Sequence, residues 1–261
     1  SDRFLRCAAC GVVYNTEYSP LTYDGGYFTT DYLAQYGRTY EDDYERIYAI
    51  SLKRLERAQA LSGRKNGRSG MRVLDLGCAL GFFLKAAMDI GYGHVEGVEV
   101  SAFGADYCHE RFGIAVRNAP FEQAPFEGRY DIISAWYFIE HCADPSFALD
   151  RISSLLNPGG IFCFSAPSTF GPQFTLHREE WASSHPADHR IDFSPRSAMH
   201  ALRRRGFSRV KVYPGGIHPE RVLSSQSRWF GAFSAAYGAL SRACAFSDTM
   251  EAYARFDGQA G

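Results

Sequence analysis

The sequence predicts an α/β chain built on a doubly wound, mostly parallel sheet, and three observations carry that prediction. Short apolar runs alternate with helical patterns from residue 72 to residue 166. A loop of mostly small residues, Gly77-Cys78-Ala79-Leu80-Gly81, passes directly from the first of these runs into the first helix. The punctuation Asn157-Pro158-Gly159-Gly160 separates the last helix of the series from its last strand. Strands joined through helices pair in parallel and take helices on both faces.

The elements follow in order. The first 40 residues hold Cys7-Ala8-Ala9-Cys10-Gly11 and then Tyr14, Tyr18, Tyr23, Tyr27, Tyr32, Tyr36 and Tyr40 around Gly25-Gly26, which reads as an aromatic, turn-rich arm and not a regular domain. Over 41–61 the residues Tyr44, Ile47, Tyr48, Leu52, Leu55, Ala58 and Leu61 recur at three- and four-residue spacing, the pattern of a helix with one buried stripe. The polar run 63–70 links it to the main domain. Strands are expected near 72–76, 94–99, 114–117, 130–136 and 160–166, and helices near 81–90, 102–111 and 145–156.

Residues 167–193 contain three prolines and no clear period, as suits an insertion over the carboxyl edge of the sheet. Ser194-Pro195 supplies an N-cap and an N1 proline for a helix that ends at Gly206. Residues 207–213 alternate as a strand does, and 229–240 read as one more half-buried helix. Two parts result: an arm with its helix over 1–62, acting as a lid, and a ligand-binding domain over 63–261 that carries the insertion 167–193 at its acceptor site.

Composition narrows the function. Lys and Arg total 28 against 29 Asp and Glu, so the chain has no global field for a polyanion, and a nucleic-acid partner is disfavoured. No apolar run approaches the roughly 18 residues that cross a bilayer, and no signal-peptide pattern opens the chain, which reads as cytoplasmic. Seven cysteines is an odd number, and Cys78, Cys108, Cys142 and Cys163 fall inside core elements, where reduced thiols are expected.

The chemistry starts at Asp75. A loop with small side chains lets backbone groups approach a ligand at the carboxyl edge of an open sheet. A dinucleotide loop aims a helix N-terminus at a pyrophosphate, which an acid just before the first glycine would oppose. Asp75 instead suits a cationic group, and S-adenosylmethionine (SAM) carries an α-ammonium and a sulfonium but no phosphate. Glu99, at the end of the second strand, can accept both hydroxyls of a ribose, a device that nicotinamide folds share.

Four ordered places make the resemblance explicit: the loop Asp75-Leu76-Gly77-Cys78-Ala79-Leu80-Gly81-Phe82-Phe83-Leu84, the acid Glu99, the stretch from Tyr130-Asp131-Ile132 to Ile139-Glu140-His141, and Leu156-Asn157-Pro158-Gly159-Gly160. In this order they resemble the class I SAM-dependent methyltransferase family. The resemblance implies a seven-stranded sheet whose last two strands form a hairpin. It implies Gly77, Cys78, Ala79 and Gly81, with Phe82 beside them, around the amino-acid part of SAM, and Glu99 and Val100 at the ribose. It also implies Ala119, Pro120 and Phe121 beside the adenine, and Ala135, Trp136 and Tyr137 under the sulfonium. The chain departs from the family twice, with Ala79 for the middle glycine of the loop and Pro120 for an acid often found after the third strand.

Methyl transfer needs alignment and exclusion of water, and a base only when the acceptor is an un-ionised hydroxyl or a cationic amine. His141 follows the fourth strand and reads either as a group near the transferred methyl or as one that orients the next helix. His189, in the segment 181–193 with His185, Asp188 and Asp192, is the best single candidate for a base, and the alternative is a structural loop histidine. Ubiquinone-biosynthesis O-methyltransferases, which carry a similar Glu-His pair, add a Glu three residues earlier to hold a divalent metal. Tyr137 stands there in this chain, so no metal is expected. Cys7 and Cys10 look like half of a zinc ribbon, as in a fragment lacking the first pair; two ordinary thiols is the competing reading.

The expected function is methyl transfer from SAM to a small-molecule acceptor, with oxygen ahead of nitrogen or carbon. Three rivals stand beside it: a nicotinamide oxidoreductase on a related fold, a non-catalytic SAM-binding or docking module, and an RNA methyltransferase. Asp75 opposes the first, a closed, polar-lined pocket beside the methyl position would oppose the second, and near-neutral charge opposes the third.

Overall fold

Val73, Leu74 and Leu76 make a strand because each is buried on one of two apolar layers, and the layers are the two faces of one sheet. Val73, Ile132, Ile161, Cys163 and Tyr253 face one hydrophobic cluster, and Leu74, Ile133, Phe162, Phe164 and Ala252 face the other. The period of two along each strand sends alternate residues to opposite helical layers.

The computed structural model describes residues 3–21, 25–63 and 67–258; Tyr23 and the centre of the linker, 64–66, lie outside the described residues. In chain order the elements are β1 (Phe4–Arg6), β2 (Val13–Asn15), α1 (Tyr32–Tyr36), α2 (Tyr44–Ser62), β3 (Arg72–Leu76), α3 (Phe82–Asp89), β4 (His94–Glu99), α4 (Ala102–Phe112) and β5 (Ala115–Asn118). They continue with β6 (Tyr130–Trp136), α5 (Pro145–Leu155), β7 (Leu156–Pro167), α6 (Pro172–Leu176), α7 (Arg178–Ser184), β8 (Ile191–Asp192), α8 (Pro195–Arg203), β9 (Phe207–Pro214), α9 (Phe230–Cys244) and β10 (Thr249–Phe256). The main sheet has the order β5-β4-β3-β6-β7-β10-β9, with β10 antiparallel to both its neighbours. Residues of α2, α3 and α4 cover one face, and residues of α5 and α8 cover the other.

The seven strands are those the resemblance implies, but the closing hairpin is not tight: residues 215–248, including α9, connect β9 to β10. Two arginines of α2 fasten β10, the strand inside the edge strand β9. Arg54 Nε meets Glu251 Oε1 at 2.8 Å, Arg57 Nη1 meets Glu251 Oε2 at 2.6 Å, and the Tyr253 hydroxyl donates to the same carboxylate at 2.8 Å.

Four expectations change. The arm is not simply turn-rich: β1 and β2 form a hairpin, and β2 pairs with β8 of the insertion, so the two segments share a three-stranded sheet. The insertion, expected without regular structure, holds α6 and α7, where Trp181 packs on Phe174 and Phe4 at 4.7 Å. Asn157-Pro158-Gly159-Gly160 is not a break before the strand; β7 already begins at Leu156, and the register shifts between the Tyr130 and Ile132 pairings. Gly159 absorbs the bulge at φ 80°. The strand β10 was not anticipated by position. Ser194 is the N-cap expected of it, and Ser194 and Ser197 also bond reciprocally as a capping box.

Gly97 lies where β4 meets the ligand loop. A Cβ there would stand 2.5 Å from Cys78 Sγ and 3.1 Å from both Leu84 Cδ1 and Val116 Cγ2. Gly97→Ala is expected to destabilise the fold by about 1–3 kcal/mol through overpacking, read as a lower urea midpoint at unchanged slope.

Candidate functional site

The order of the sheet reverses at β3, with β4 and β5 on one side and β6 and β7 on the other. Such a switch point leaves a crevice above the carboxyl ends of the strands, the usual ligand position in open α/β sheets. The loop 77–81 borders that crevice in a left-handed path: Gly77 has φ 65°, Ala79 φ 52° and Gly81 φ 74°. Ala79 bears a Cβ in this region, at a cost of about 1 kcal/mol relative to the glycine it replaces. The other two positions have no room for one, because Phe138 and Cys108 stand 2.8 and 2.7 Å from the Cβ sites of Gly77 and Gly81.

β4 holds the loop in place. The N–H groups of Gly77 and Cys78 donate to the Val98 carbonyl at 2.8 and 3.1 Å. Glu99, 6% exposed, accepts the Ala79 N–H on one carboxylate oxygen and the Ser101 N–H on the other, both at 2.9 Å. The Asn118 amide then ties β5 to this corner by donating to the carbonyls of Glu99 and Val100 at 2.9 Å. Burial raises the Glu99 carboxyl above its ordinary value although these N–H bonds oppose it.

Asp75 is 2% exposed and stands in register with Ser134 of β6, whose hydroxyl donates to Asp75 Oδ1 at 2.6 Å. Burial pushes its carboxyl up to about 7, against the pull of the Ser134 hydroxyl and the Arg54 charge, and Glu99 adds to the rise. Two buried carboxylates therefore flank one glycine-bearing loop, and their charge favours a cation between them.

The arm closes over the loop. Phe28 stacks on Phe103 at 5.8 Å and meets Tyr40 edge-on at 5.6 Å, and Tyr40 packs on Phe82 at 5.5 Å. Phe82 also meets Tyr44 at 4.9 Å, so its ring belongs to the packing of the arm and has 1% exposure. Burial holds the Tyr40 hydroxyl far above its usual range, and the charges of Asp75 and Glu99 act in the same direction.

Side-chain directions correct several sequence assignments. Phe121 turns into the core against Phe126 and Phe138, at 5.8 and 6.1 Å, and offers no exposed ring. Ala119 and Pro120 enter a turn in which the Pro120 carbonyl accepts the N–H groups of Gln123 and Ala124. Val100 is 48% exposed beside Glu99, and Phe103 is 44% exposed. Trp136 lies between Phe83 and Tyr253 with the Arg54 guanidinium 3.9 Å over its ring, while Ala135 is fully buried. The exposed side chain of that stretch is Tyr137, whose φ of 53° is held by N–H bonds to the Ser165 carbonyl and hydroxyl.

The insertion brings together two histidines that are 48 residues apart in the chain. His141 Nδ1 lies 2.9 Å from Asp188 Oδ2 and 3.2 Å from the Asp188 carbonyl, and the rings of His141 and His189 meet edge-on at 4.8 Å. Burial lowers the basicity of His141, but the Asp188 bond and the Glu140 and Asp188 charges outweigh it and leave the group raised. His189 is pushed down to about 3 by burial and by the charge of His141, and its Nδ1 is buried without a hydrogen-bond partner. At neutral pH that makes His141 the stronger base of the two, the reverse of the sequence ranking. The Asp188 contact was not legible, because loop closure decides it.

The hairpin attaches to the same place: Asn15 Nδ2 donates to the His189 carbonyl at 3.1 Å, and the Tyr18 hydroxyl donates to the His141 carbonyl at 2.8 Å. Cys7 and Cys10 are half-buried free thiols in the turn between β1 and β2, where the Gly11 N–H donates to the Cys7 carbonyl at 2.9 Å. No helix among the described residues is long and apolar enough to cross a membrane.

Comparison with known proteins agrees with this geometry. The family described as a methyltransferase domain matches residues 43–212. The ubiquinone biosynthesis O-methyltransferase of Bordetella avium is 32% identical over 132 residues, which is 48% of this chain and 53% of that protein. The chain thus spans about half the length of the curated relatives it matches. Among solved structures, the phosphoethanolamine N-methyltransferase 2 of Haemonchus contortus, crystallised with phosphomonomethylethanolamine and S-adenosylhomocysteine, superposes with a TM-score of 0.57 at 16% identity, covering 81% of this chain and 53% of that one. A SAM-dependent methyltransferase of Thermotoga maritima gives 0.53 at 17% identity, covering 86% of this chain and 98% of that one. These likenesses in structure speak to the fold, and the family match decides membership: the chain belongs to the class I SAM-dependent methyltransferase family.

Proposed function

We propose that the chain transfers a methyl group from SAM to an oxygen of a small-molecule acceptor. The observation that carries the reading is the pair of buried carboxylates, Asp75 and Glu99, on either side of the loop 77–81. The donor set fits SAM. Each oxygen of Glu99 accepts one backbone N–H and retains acceptor capacity for a ribose hydroxyl. Asp75 has a carboxylate for the α-ammonium, and Val100 and Phe103 offer exposed apolar surface beside Glu99 for the adenine. Oxygen as the acceptor atom is supported by the O-methyltransferases among the relatives.

When bound, SAM supplies an electrophilic methyl on a sulfonium. The protein's share is to orient and dry the site. The arm residues Phe28 and Tyr40 cover the loop side, and Tyr137 stands as the wall where the acceptor enters. Asp188 holds His141 through Nδ1, which leaves Nε2 to take the proton of an acceptor hydroxyl; SAM, held by Asp75 and Glu99, would supply the methyl group that the oxygen receives. His189 adds nothing as a base at neutral pH, although its ring meets that of His141 edge-on.

Calorimetric titration of SAM and S-adenosylhomocysteine is expected to show saturable binding that Asp75→Ala and Glu99→Ala each abolish; no binding by folded native chain would sink the reading. Because Asp75 must ionise to pair the ammonium, affinity for SAM rises with pH. It should weaken about tenfold between pH 8 and pH 6, and Asp75→Asn should flatten the profile. His141→Gln should lower kcat by about 10²-fold or more at neutral pH with the SAM dissociation constant unchanged. Equal kcat in that variant would remove His141 from the chemistry.

A further inference from the structure

Behind the dyad lies a group of buried polar atoms that methyl transfer does not use. His185 is almost wholly enclosed, packed against the rings of Phe4 and Trp181, each at 4.8 Å. Its Nδ1 lies 2.9 Å from the Pro186 carbonyl, which can only accept, so Nδ1 carries the hydrogen. Its Nε2 faces Asp192 Oδ2 at 2.8 Å, with Asp192 1% exposed. The other oxygen, Asp192 Oδ1, is buried without a hydrogen-bond partner, and so is His189 Nδ1. Beside them Glu140 has no exposure, and neither of its oxygens has a hydrogen-bond partner. Acceptors outnumber donors throughout this enclosure, a condition that a positive charge inside it relieves.

We infer that His185, His189 and Asp192 form a binding site for one divalent transition-metal ion, of which zinc is the type. One ligand atom from each lies within 4.8 Å of the other two, a separation that small side-chain rotations bring to three corners of a tetrahedron, the fourth being the position a water takes on such three-ligand sites. Two imidazoles and one carboxylate select zinc, cobalt or nickel over magnesium or calcium. The Pro186 carbonyl plays the part that outer partners play around ligating histidines, fixing the tautomer so that Nε2 presents its lone pair. Asp192 is held on β8 against β2, and Arg3 Nη2 donates to the His185 carbonyl at 3.2 Å, so the ion locks the insertion to the N-terminal hairpin. A neighbouring set, Glu140, His141 and His189, has similar spacing and shares His189, so the two sets exclude one another; His141 is the base of the proposed reaction, which leaves His189 to His185 and Asp192. The inference stands apart from the residues proposed to hold SAM.

The test is calorimetry of ZnCl₂ into the chelator-stripped full chain, with Co²⁺ visible spectra and zinc X-ray absorption on the unmutated protein. One ion per chain with a nitrogen and oxygen shell is expected. His185→Gln and Asp192→Asn, checked for folding by circular dichroism, should each weaken binding more than about tenfold. The inference is overturned by the absence of saturable binding. A sulfur shell, which would put the ion on Cys7 and Cys10, overturns it as well. So does binding that survives both variants and is lost in Glu140→Gln, because the ion would then occupy the neighbouring set.

Discussion

The rest of the site depends on the way β4 takes hold of the loop after β3. Backbone groups that leave a strand normally turn to solvent, yet here the N–H groups of Gly77 and Cys78 end on the Val98 carbonyl and that of Ala79 on the Glu99 carboxylate, whose other oxygen accepts the Ser101 N–H. One strand end thereby fixes the path of the loop and orients the side chain that faces the crevice. Gly97 lets Cys78 and Leu84 approach at the same place, so the close packing beneath the loop and the polar clasp at its rim are parts of one arrangement. A buried carboxylate that accepts backbone N–H bonds is rigid as well as charged, and rigidity is what alignment for displacement requires.

A second level of organisation joins segments far apart in the chain. The hairpin of β1 and β2 gains its third strand from the insertion, and Asn15 exchanges hydrogen bonds with Arg190 and the His189 carbonyl. The arm then runs on to cover the loop through Phe28 and Tyr40. The hairpin and the histidine-bearing segment are therefore joined, because neither can leave the other without breaking the small sheet. β10 is fastened separately by Arg54 and Arg57 on Glu251, a nearly enclosed carboxylate whose loss would strand Arg54 at a cost of about 3–5 kcal/mol.

The electrostatics share one theme. Asp75, Glu99 and Glu140 are all buried and all raised, and the enclosure around His185 and Asp192 is short of donors. Burying acids without matching cations costs stability in the empty protein. Such sites favour ligands that bring positive charge with them.

The sequence by itself determined the alternating strands and helices from β3 to β7, the loop 77–81, both flanking acids and the α8 cap. Each of these is a local pattern: apolar period, turn chemistry, or an acid at a strand end. β10 was readable too, since Met250, Ala252, Ala254 and Phe256 alternate with Glu251, Tyr253 and Arg255, but a charged residue at Glu251 obscured a strand that Arg54 and Arg57 make possible. Which of these aromatics stays exposed was decided by the tertiary structure, because Phe121 and Trp136 each had a core to fill and Tyr137 did not. The pairing of β2 with β8, and with it the meeting of His141, Asp188 and His189, also came only from the fold. Contacts between segments roughly 50 to 180 residues apart are set by how surfaces fit once the sheet exists, and no local period in the chain encodes them.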